Sequence, residues 1–153
     1  RKRFMEVITE MQALYLNKVD EDSRDTFCIL MLDIDSFKEI NDSFGHPMGD
    51  LAIKHVAGLI SVNLRSKDYC FRYGGDEFSI ILSDIKPEMA VHLAERLRLA
   101  IEDTIMRVDG NEIVVTVSIG VVAYKKGKNV EDLLKEVDSK LYQSKEKGKN
   151  RVS

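Results

Sequence analysis

Two stretches carry the residues best suited to chemistry: Asp33-Ile34-Asp35, where an apolar run ends in a pair of carboxylates, and Arg72-Tyr73-Gly74-Gly75-Asp76-Glu77-Phe78, where two glycines precede two acids. Carboxylate oxygens suit Mg²⁺, and paired glycines leave backbone bare of side chains, where a bulky anion can approach. Ser36 can cap a helix, and the free amides of a helix start suit phosphate. If the strand ending at Asp33 lies beside the strands around Gly74-Gly75, metal and triphosphate share one site. Nucleotidyl transfer fits it: a hydroxyl is activated, an α-phosphate polarised and pyrophosphate released, which two metal ions about 3.5–4 Å apart manage together. An ordinary polar hairpin tip is the rival reading of Gly-Gly-Asp-Glu alone.

Such residues need elements that deliver them. Phe27 to Leu32 is a continuous apolar run, the pattern of a central strand covered on both faces. Tyr69, Phe71 and Tyr73, then Phe78, Ile80 and Leu82, alternate with a period of two, so Gly74-Gly75 is predicted to turn a hairpin with positive φ. An amphipathic helix is predicted from Phe4 to Leu16 on Phe4, Val7, Ile8, Met11, Leu14 and Tyr15, and a charged loop over 20–25. A short helix capped by Ser36 turns Phe37, Ile40 and Phe44 inward until Gly45-His46-Pro47 breaks it. Asp50 can cap the next, which carries Leu51, Ile53, Val56, Ala57, Ile60 and Leu64 to about Arg65. Pro87 opens a helix with Ala90, Leu93, Ala94, Leu97 and Ile101 inward. Asp109-Gly110-Asn111 reads as a turn, Ile113 to Val121 as one alternating strand, and Lys125 to Asn129 as a basic loop. A last helix over Val130–Lys147 has Leu133, Leu134, Val137, Leu141 and Tyr142 inward and Gly148 ending it. This order predicts an α/β (α+β) fold with a central mixed sheet surrounded by helices.

The 153 residues, 44% hydrophobic and 32% charged, suit one domain. With 23 basic and 26 acidic residues the formal charge is −3, which predicts neither a nucleic-acid polymer nor an anionic membrane surface as partner. Cys28 and Cys70 lie in apolar strand-like runs and are expected to be buried thiols in a reducing, cytoplasmic setting. No apolar run has the length of a membrane span, and Arg1-Lys2-Arg3-Phe4 lacks the apolar stretch of a signal peptide. The chain heads directly into a helical pattern, so it is expected to be cut from a longer protein, with or without a membrane anchor. His55 and His92 lack a metal-ligand partner at usable spacing and read as structural.

Four blocks together carry a family resemblance. Leu32 to Asp50 (LDIDSFKEINDSFGHPMGD), Arg72 to Phe78 (RYGGDEF), Thr116 to Gly120 (TVSIG) and Leu141 to Arg151 (LYQSKEKGKNR) resemble, in order, a GGDEF domain of the diguanylate cyclase family. The resemblance spans nearly all of residues 1–153. The family's usual block just before Arg1, Asp-x-Leu-Thr-Gly-Leu-x-Asn, is absent, so the N-terminal edge is expected to be truncated.

The resemblance implies a palm-like nucleotidyl-cyclase fold and condensation of two GTP into cyclic di-GMP, each subunit of a homodimer holding one GTP and two Mg²⁺ or Mn²⁺ ions. By matching position, Asp33 and Asp76 would bind metal through carboxylates and Ile34 through its carbonyl. Ser36 and Phe37 would offer amides to the phosphates beside the bare Gly74 and Gly75, and Lys38 would stabilise transition-state charge. Asp76, with Glu77, would assist loss of the 3′-hydroxyl proton, with direct loss to solvent as the rival. Asn41 and Asp50 match guanine-binding positions and His46 a neighbouring contact. Lys145 and Lys149 match basic residues near the phosphates, Lys149 standing where the family often has Arg.

Arg65-Ser66-Lys67-Asp68 resembles the family's Arg-x-x-Asp inhibitory site for product. Arg65 would clamp a phosphate or stack on guanine, Asp68 would accept from the guanine edge, and Arg96 matches a further arginine, with Arg98 a plausible neighbour. The rival functions are a module that binds GTP or cyclic di-GMP and only regulates a neighbouring domain, and a cyclase of altered base choice.

Overall fold

A computed structural model describes residues 1–18 and 25–153, so all of the predicted charged loop except Asp25 lies outside the described residues. In chain order the elements are α1 (Lys2–Leu16), β1 (Thr26–Ile34), α2 (Phe37–Phe44), α3 (His46–Asn63), β2 (Tyr69–Gly74), β3 (Glu77–Ile85), α4 (Pro87–Asp103), β4 (Met106–Val108), β5 (Asn111–Ile113), β6 (Val117–Ala123) and α5 (Val130–Glu146).

Four strands make the main sheet in the order β2-β3-β1-β6. The sheet expected to be mixed is antiparallel in all three ladders. The crossover from β1 through α2 and α3 reaches β2 with β3 in between, and that from β3 through α4 reaches β6 with β1 in between. Parallel strands therefore do not become neighbours in this sheet; among the described residues a parallel bridge joins Ile119 and Val152.

The apolar run of β1 is buried on both faces, and strand parity divides it. Cys28, Leu30, Leu32 and Ile34 pack with α3 and α4, against Ala52, Val56, Ile60, Ala94 and Leu97. Phe27, Ile29 and Met31 pack with Phe4, Ile8 and Met11 of α1 and Leu133, Val137 and Leu141 of α5. Each such fully buried aliphatic side chain contributes about 1.5–3 kcal/mol. Gly120 lets α5 approach, since a Cβ there would meet Val137 O at 2.6 Å and Leu141 N at 2.5 Å.

Several local expectations change. Cys70 is exposed, because β2 is an edge strand covered only on its α1 side, where Phe71 and Tyr73 pack on Phe4. Phe44, Leu51, Leu14 and Tyr142 are also exposed. The hairpin turns on Gly75-Asp76, with Gly74 opposite Glu77 and an irregularity between Arg72 and Gly74; neither glycine takes positive φ. Two hydrogen bonds from the Arg72 guanidinium to Gly75 O, at 3.0 and 2.9 Å, hold this tip instead. The strand expected from Ile113 to Val121 breaks over 114–116, leaving β5 paired with β4 about the Asp109-Gly110 turn and β6 in the main sheet.

Candidate active site

β1 ends beside the start of β3, with Asp33 opposite Glu77, and Ile34 N donates to Asp76 O at 3.2 Å. A cleft of about 430 Å³ opens there, lined by Asp33, Ile34, Ser36, Phe37, Lys38, Asn41, Asp76, Lys145 and Lys149 among others. Nine residues assigned from sequence thus meet in one place. Glu77 does not line it; its Oε2 folds back towards Gly74. Gly74, Gly75, His46 and Asp50 also lie outside its lining.

Asp33 is 5% exposed and belongs to the odd-numbered set of β1. That set faces α5, where Lys145 follows buried Leu141 by one helical turn and donates to Asp33 Oδ2. Burial pushes the Asp33 carboxyl up to about 7; the Asp76 carboxyl beside it acts in the same direction and Lys145 opposes both. Asp33 Oδ1 is buried with no hydrogen-bond partner among the described residues.

No group of three or more His, Cys, Asp or Glu side chains able to hold a metal occurs among the described residues. Two carboxylates, one with an orphaned oxygen, nonetheless fit a hard divalent cation, whose remaining positions would be filled from outside the chain. Lys145 supplies the positive charge at Asp33.

Asp35, the second carboxylate of β1's end, has a different task. Its oxygens accept from Thr116 Oγ1 at 2.8 Å, Ser118 Oγ at 2.6 Å and Asn150 N at 2.9 Å, tying the start of α2 to β6 and the C-terminal turn. Ser36 then takes left-handed backbone, φ 54°, and its side chain caps nothing. The first-turn amides of α2 have no intrahelical acceptor and are left for an anion. Lys149 Nζ donates to Ser36 Oγ at 3.1 Å, so a cation stands at that helix start.

Asn41, one turn further along α2, lies against α3 where only glycine fits. A Cβ on Gly49 would stand 1.9 Å from Asn41 Oδ1. That oxygen is buried without a hydrogen-bond partner among the described residues. Asp50 is not the cap of α3: the helix starts at His46 with Pro47 in its first turn, which leaves Asp50 exposed one turn inside it.

Arg72, Gly49, Thr116, Ser118 and Asn150 shape this end of the sheet and were not singled out from sequence; Asp35, read there as a second carboxylate for chemistry, is instead a structural tie. All of them lie inside the four blocks of the resemblance; what hides the role of Asn150 is its distance in sequence from Asp35.

A second cleft, of about 620 Å³, is lined by Arg65, Arg96, Lys86 and His92 with Asp25, Asp84 and three apolar residues. Arg65 grips Asp68, Nε to Oδ2 at 3.0 Å and Nη2 to Oδ1 at 2.8 Å, and also donates to Ser83 O at 2.8 Å. Asp68 is therefore no part of the lining. Ser83 lies near the far end of β3, so the two clefts occupy opposite ends of the sheet, roughly 20 Å apart at ~3.3 Å per residue. Arg96 faces this second cleft, whereas Arg98 pairs with Glu95, Glu102 and Asn150 on the active-site side.

Residues 6–151 match the family described as diguanylate cyclase, GGDEF domain. The chain belongs to this GGDEF family. It is 39% identical over 144 residues to diguanylate cyclase A of Treponema denticola, covering 94% of this chain and 39% of that protein. It is 36% identical over 152 residues to the diguanylate cyclase DosC of Escherichia coli, covering 99% of this chain and 32% of that protein. The chain thus spans 32–39% of the length of these curated relatives.

The solved coiled coil and GGDEF domain of DgcB from Caulobacter crescentus, in complex with c-di-GMP, is 29% identical with a TM-score of 0.89, covering all of this chain and 79% of that one. The diguanylate cyclase SiaD from Pseudomonas aeruginosa, in complex with its activator SiaC, is 27% identical with a TM-score of 0.89, covering 100% of this chain and 57% of that one. The palm-like α/β fold of this GGDEF domain follows from these superpositions. Among its described residues no helix is long and apolar enough to cross a membrane.

Proposed function

We propose that this GGDEF domain is the catalytic part of a diguanylate cyclase, condensing two GTP into cyclic di-GMP and two pyrophosphates across a homodimer. The observation that carries the reading is the buried, orphaned oxygen of Asp33, set beside Asp76 at the mouth of a cleft whose other wall is the uncapped start of α2. A carboxylate kept in such surroundings is costly unless a cation completes it.

Asp33 and Asp76, with the Ile34 carbonyl, are the groups that would hold Mg²⁺ or Mn²⁺, two ions per site. Bound there, the metal supplies electrophilic polarisation of the phosphate and a more acidic hydroxyl. The chain's own residues do the rest. Amides of Ser36 and Phe37 receive the phosphates, with Gly74 and Gly75 keeping the hairpin tip clear. Lys38 and Lys149 neutralise charge that develops on them, and Lys145 exchanges its contact with Asp33 for phosphate. Asp76, with Glu77, takes up the 3′-hydroxyl proton. Asp50 accepts from the N1 and N2 hydrogens of guanine and Asn41 pairs with the base edge through its amide, with His46 beside them. One copy presents half of the reaction, so turnover needs a second copy facing it.

The second cleft is proposed to bind the product through Arg65 and Arg96, and it inhibits by holding domains in a non-productive arrangement. Asp68 acts there once Arg65 releases it. GTP as substrate puts the domain in the cytoplasm, whatever anchors its parent. The test is incubation of the domain, and of a dimerised fusion of it, with GTP and Mg²⁺, followed by identification of the product. Cyclic di-GMP from the wild type and none from Asp76→Asn supports the assignment; binding of GTP with no product from either form makes the domain a regulatory module.

A further inference from the structure

The C-terminal turn over Gly148-Lys149-Asn150 is held in a backbone conformation it would not choose. All three residues have positive φ, 112°, 64° and 45°. For the two that are not glycine the left-handed region costs about 1–2 kcal/mol each, and such strain persists only where the surroundings over-determine it. They do so through Asn150. Its Oδ1 accepts from Arg98 Nη1 at 2.8 Å, its Nδ2 donates to Glu102 Oε2, and its backbone N donates to Asp35 Oδ2 at 2.9 Å.

Arg98 is itself anchored. Its side chain is 12% exposed, and it donates to Glu95 at 3.1 and 3.0 Å and to Glu102 at 2.9 Å. A rigid arm therefore runs from the middle of α4 to the turn. On the other side of the turn, Lys149 N donates to Ser144 O at 3.0 Å and Lys149 Nζ reaches Ser36 Oγ at 3.1 Å, at the amides that start α2. The direction of Lys149 is thus set by backbone that its neighbour's side chain enforces.

We propose that Asn150, clamped by Arg98 and Glu102, is a positioning residue that aims Lys149 at the phosphates of the bound nucleotide. The inference rests on the reading of the cleft as a triphosphate site. Asn150 touches no substrate; it acts through Lys149. Loss of the clamp lets the turn relax and lets the ammonium leave the helix start. Asn tolerates left-handed backbone better than other side chains except glycine, and its amide also offers one acceptor to Arg98 and one donor to Glu102.

The test compares Asn150→Ala, Asn150→Gly, Asn150→Asp and Asn150→Asp with Glu102→Gln, in wild-type and Lys149→Ala backgrounds. Asn150→Gly keeps the left-handed backbone accessible and so folds without the clamp. The readouts are kcat and KM for GTP, and affinity for magnesium pyrophosphate by calorimetry. Asn150→Ala and Asn150→Gly are expected to raise KM roughly tenfold, the loss of about one charge-assisted contact, with kcat changed less than about threefold. In the Lys149→Ala background they should add almost nothing, since both changes remove one contact. Asn150→Asp sets two carboxylates face to face and should be as impaired, and Glu102→Gln should rescue it by exchanging donor and acceptor.

KM unchanged in a folded Asn150→Gly, or effects that add to Lys149→Ala, overturns the proposal while leaving the cyclase reading intact. A wild type that makes no cyclic di-GMP but binds magnesium pyrophosphate with the same dependence on Asn150 overturns the cyclase reading and keeps the positioning role. A wild type that does neither overturns both.

Discussion

The two clefts lie at opposite ends of one sheet and treat their charges in opposite ways. At the Asp33 end the carboxylate is buried, one of its oxygens has no partner among the described residues, and Asn41 in the same cleft carries a second such oxygen. At the Arg65 end the groups satisfy each other: Asp68, with no exposed side-chain surface, accepts from the Arg65 guanidinium and from the amides of Arg65 and Ser83. A site for chemistry keeps polar groups unfulfilled inside rigid walls, so that a ligand completes them. A site for regulation can rest with its charges paired and open when a better partner arrives.

The largest expected effect tests the unfulfilled end. Asp33→Asn or Asp76→Asn should lower cyclic di-GMP synthesis by at least about 10²–10³-fold, the usual loss on removing a group that stabilises transition-state charge. Asp33→Asn should at the same time raise the thermal midpoint of the metal-free domain, because the amide has no ionic charge to bury, at about 2–4 °C per kcal/mol for a chain near this size. Calorimetric scans beside product assays measure both; a lowered midpoint would show that Asp33 is satisfied after all.

Gly49→Ala comes next. The added methyl drives Asn41 out of its place, and GTP affinity should fall by about 10–100-fold, as expected for one or two lost hydrogen bonds to the base edge. Preference over ATP should shrink with it, read as the ratio of kcat/KM values.

At the paired end, Arg96→Ala should weaken cyclic di-GMP binding about tenfold and leave product-free turnover of GTP unchanged, since the hydrogen bond of Arg96 among the described residues goes to Asn63 O, at 3.3 Å. Arg65→Ala should do the same and also destabilise the fold, because Asp68 keeps its backbone donors but loses its counter-charge. Titration calorimetry with cyclic di-GMP beside unfolding curves separates the two effects.

The smallest effect concerns the strap that joins α1 to this end. Tyr15 OH donates to Asp84 Oδ1 at 2.5 Å and accepts from Asp84 N at 2.7 Å, and Lys18 Nζ donates to Asp84 Oδ1 at 2.7 Å. Tyr15→Phe should cost about 1 kcal/mol of unfolding free energy. The contact with Lys18, then the hydrogen bond from Tyr15, hold the Asp84 carboxyl below its usual range. A depressed folded value means stability present above the unfolded value near ~3.9 and lost as pH falls through the folded one. Lys18→Met should therefore lower stability at pH 7 slightly and leave stability near pH 2 unchanged, which denaturant titrations at the two pH values will show.

What the sequence made legible followed from local pattern. The apolar run of β1 announces a doubly covered strand, and its abrupt end at Asp33 places a carboxylate at the sheet's edge. Where a residue's fate depends on distant chain, the pattern misleads. Cys70 has the same strand setting as Cys28, yet it sits on an edge strand with one face open. Asp50 has the form of a cap, but Pro47 starts α3 a turn earlier. Asp33 and Asp35 look equivalent in sequence; only β6 and the C-terminal turn, about eighty and more residues away, reveal that Asp35 is tied up. The arm from Arg98 to Asn150 crosses 52 positions and leaves no local signal.

Those long spans also set an order of events when the chain folds. β1 must wait for β3 and β6, and its last carboxylate is locked only when Asn150, 115 positions later, docks on Asp35. Contacts of such sequence separation form late because loop closure precedes any reward for them. The cleft is therefore expected to be among the last features to mature, after the helices have collapsed on β1. On the proposed cyclase reading, synthesis of cyclic di-GMP then waits until the residues around Asn150 have left the ribosome.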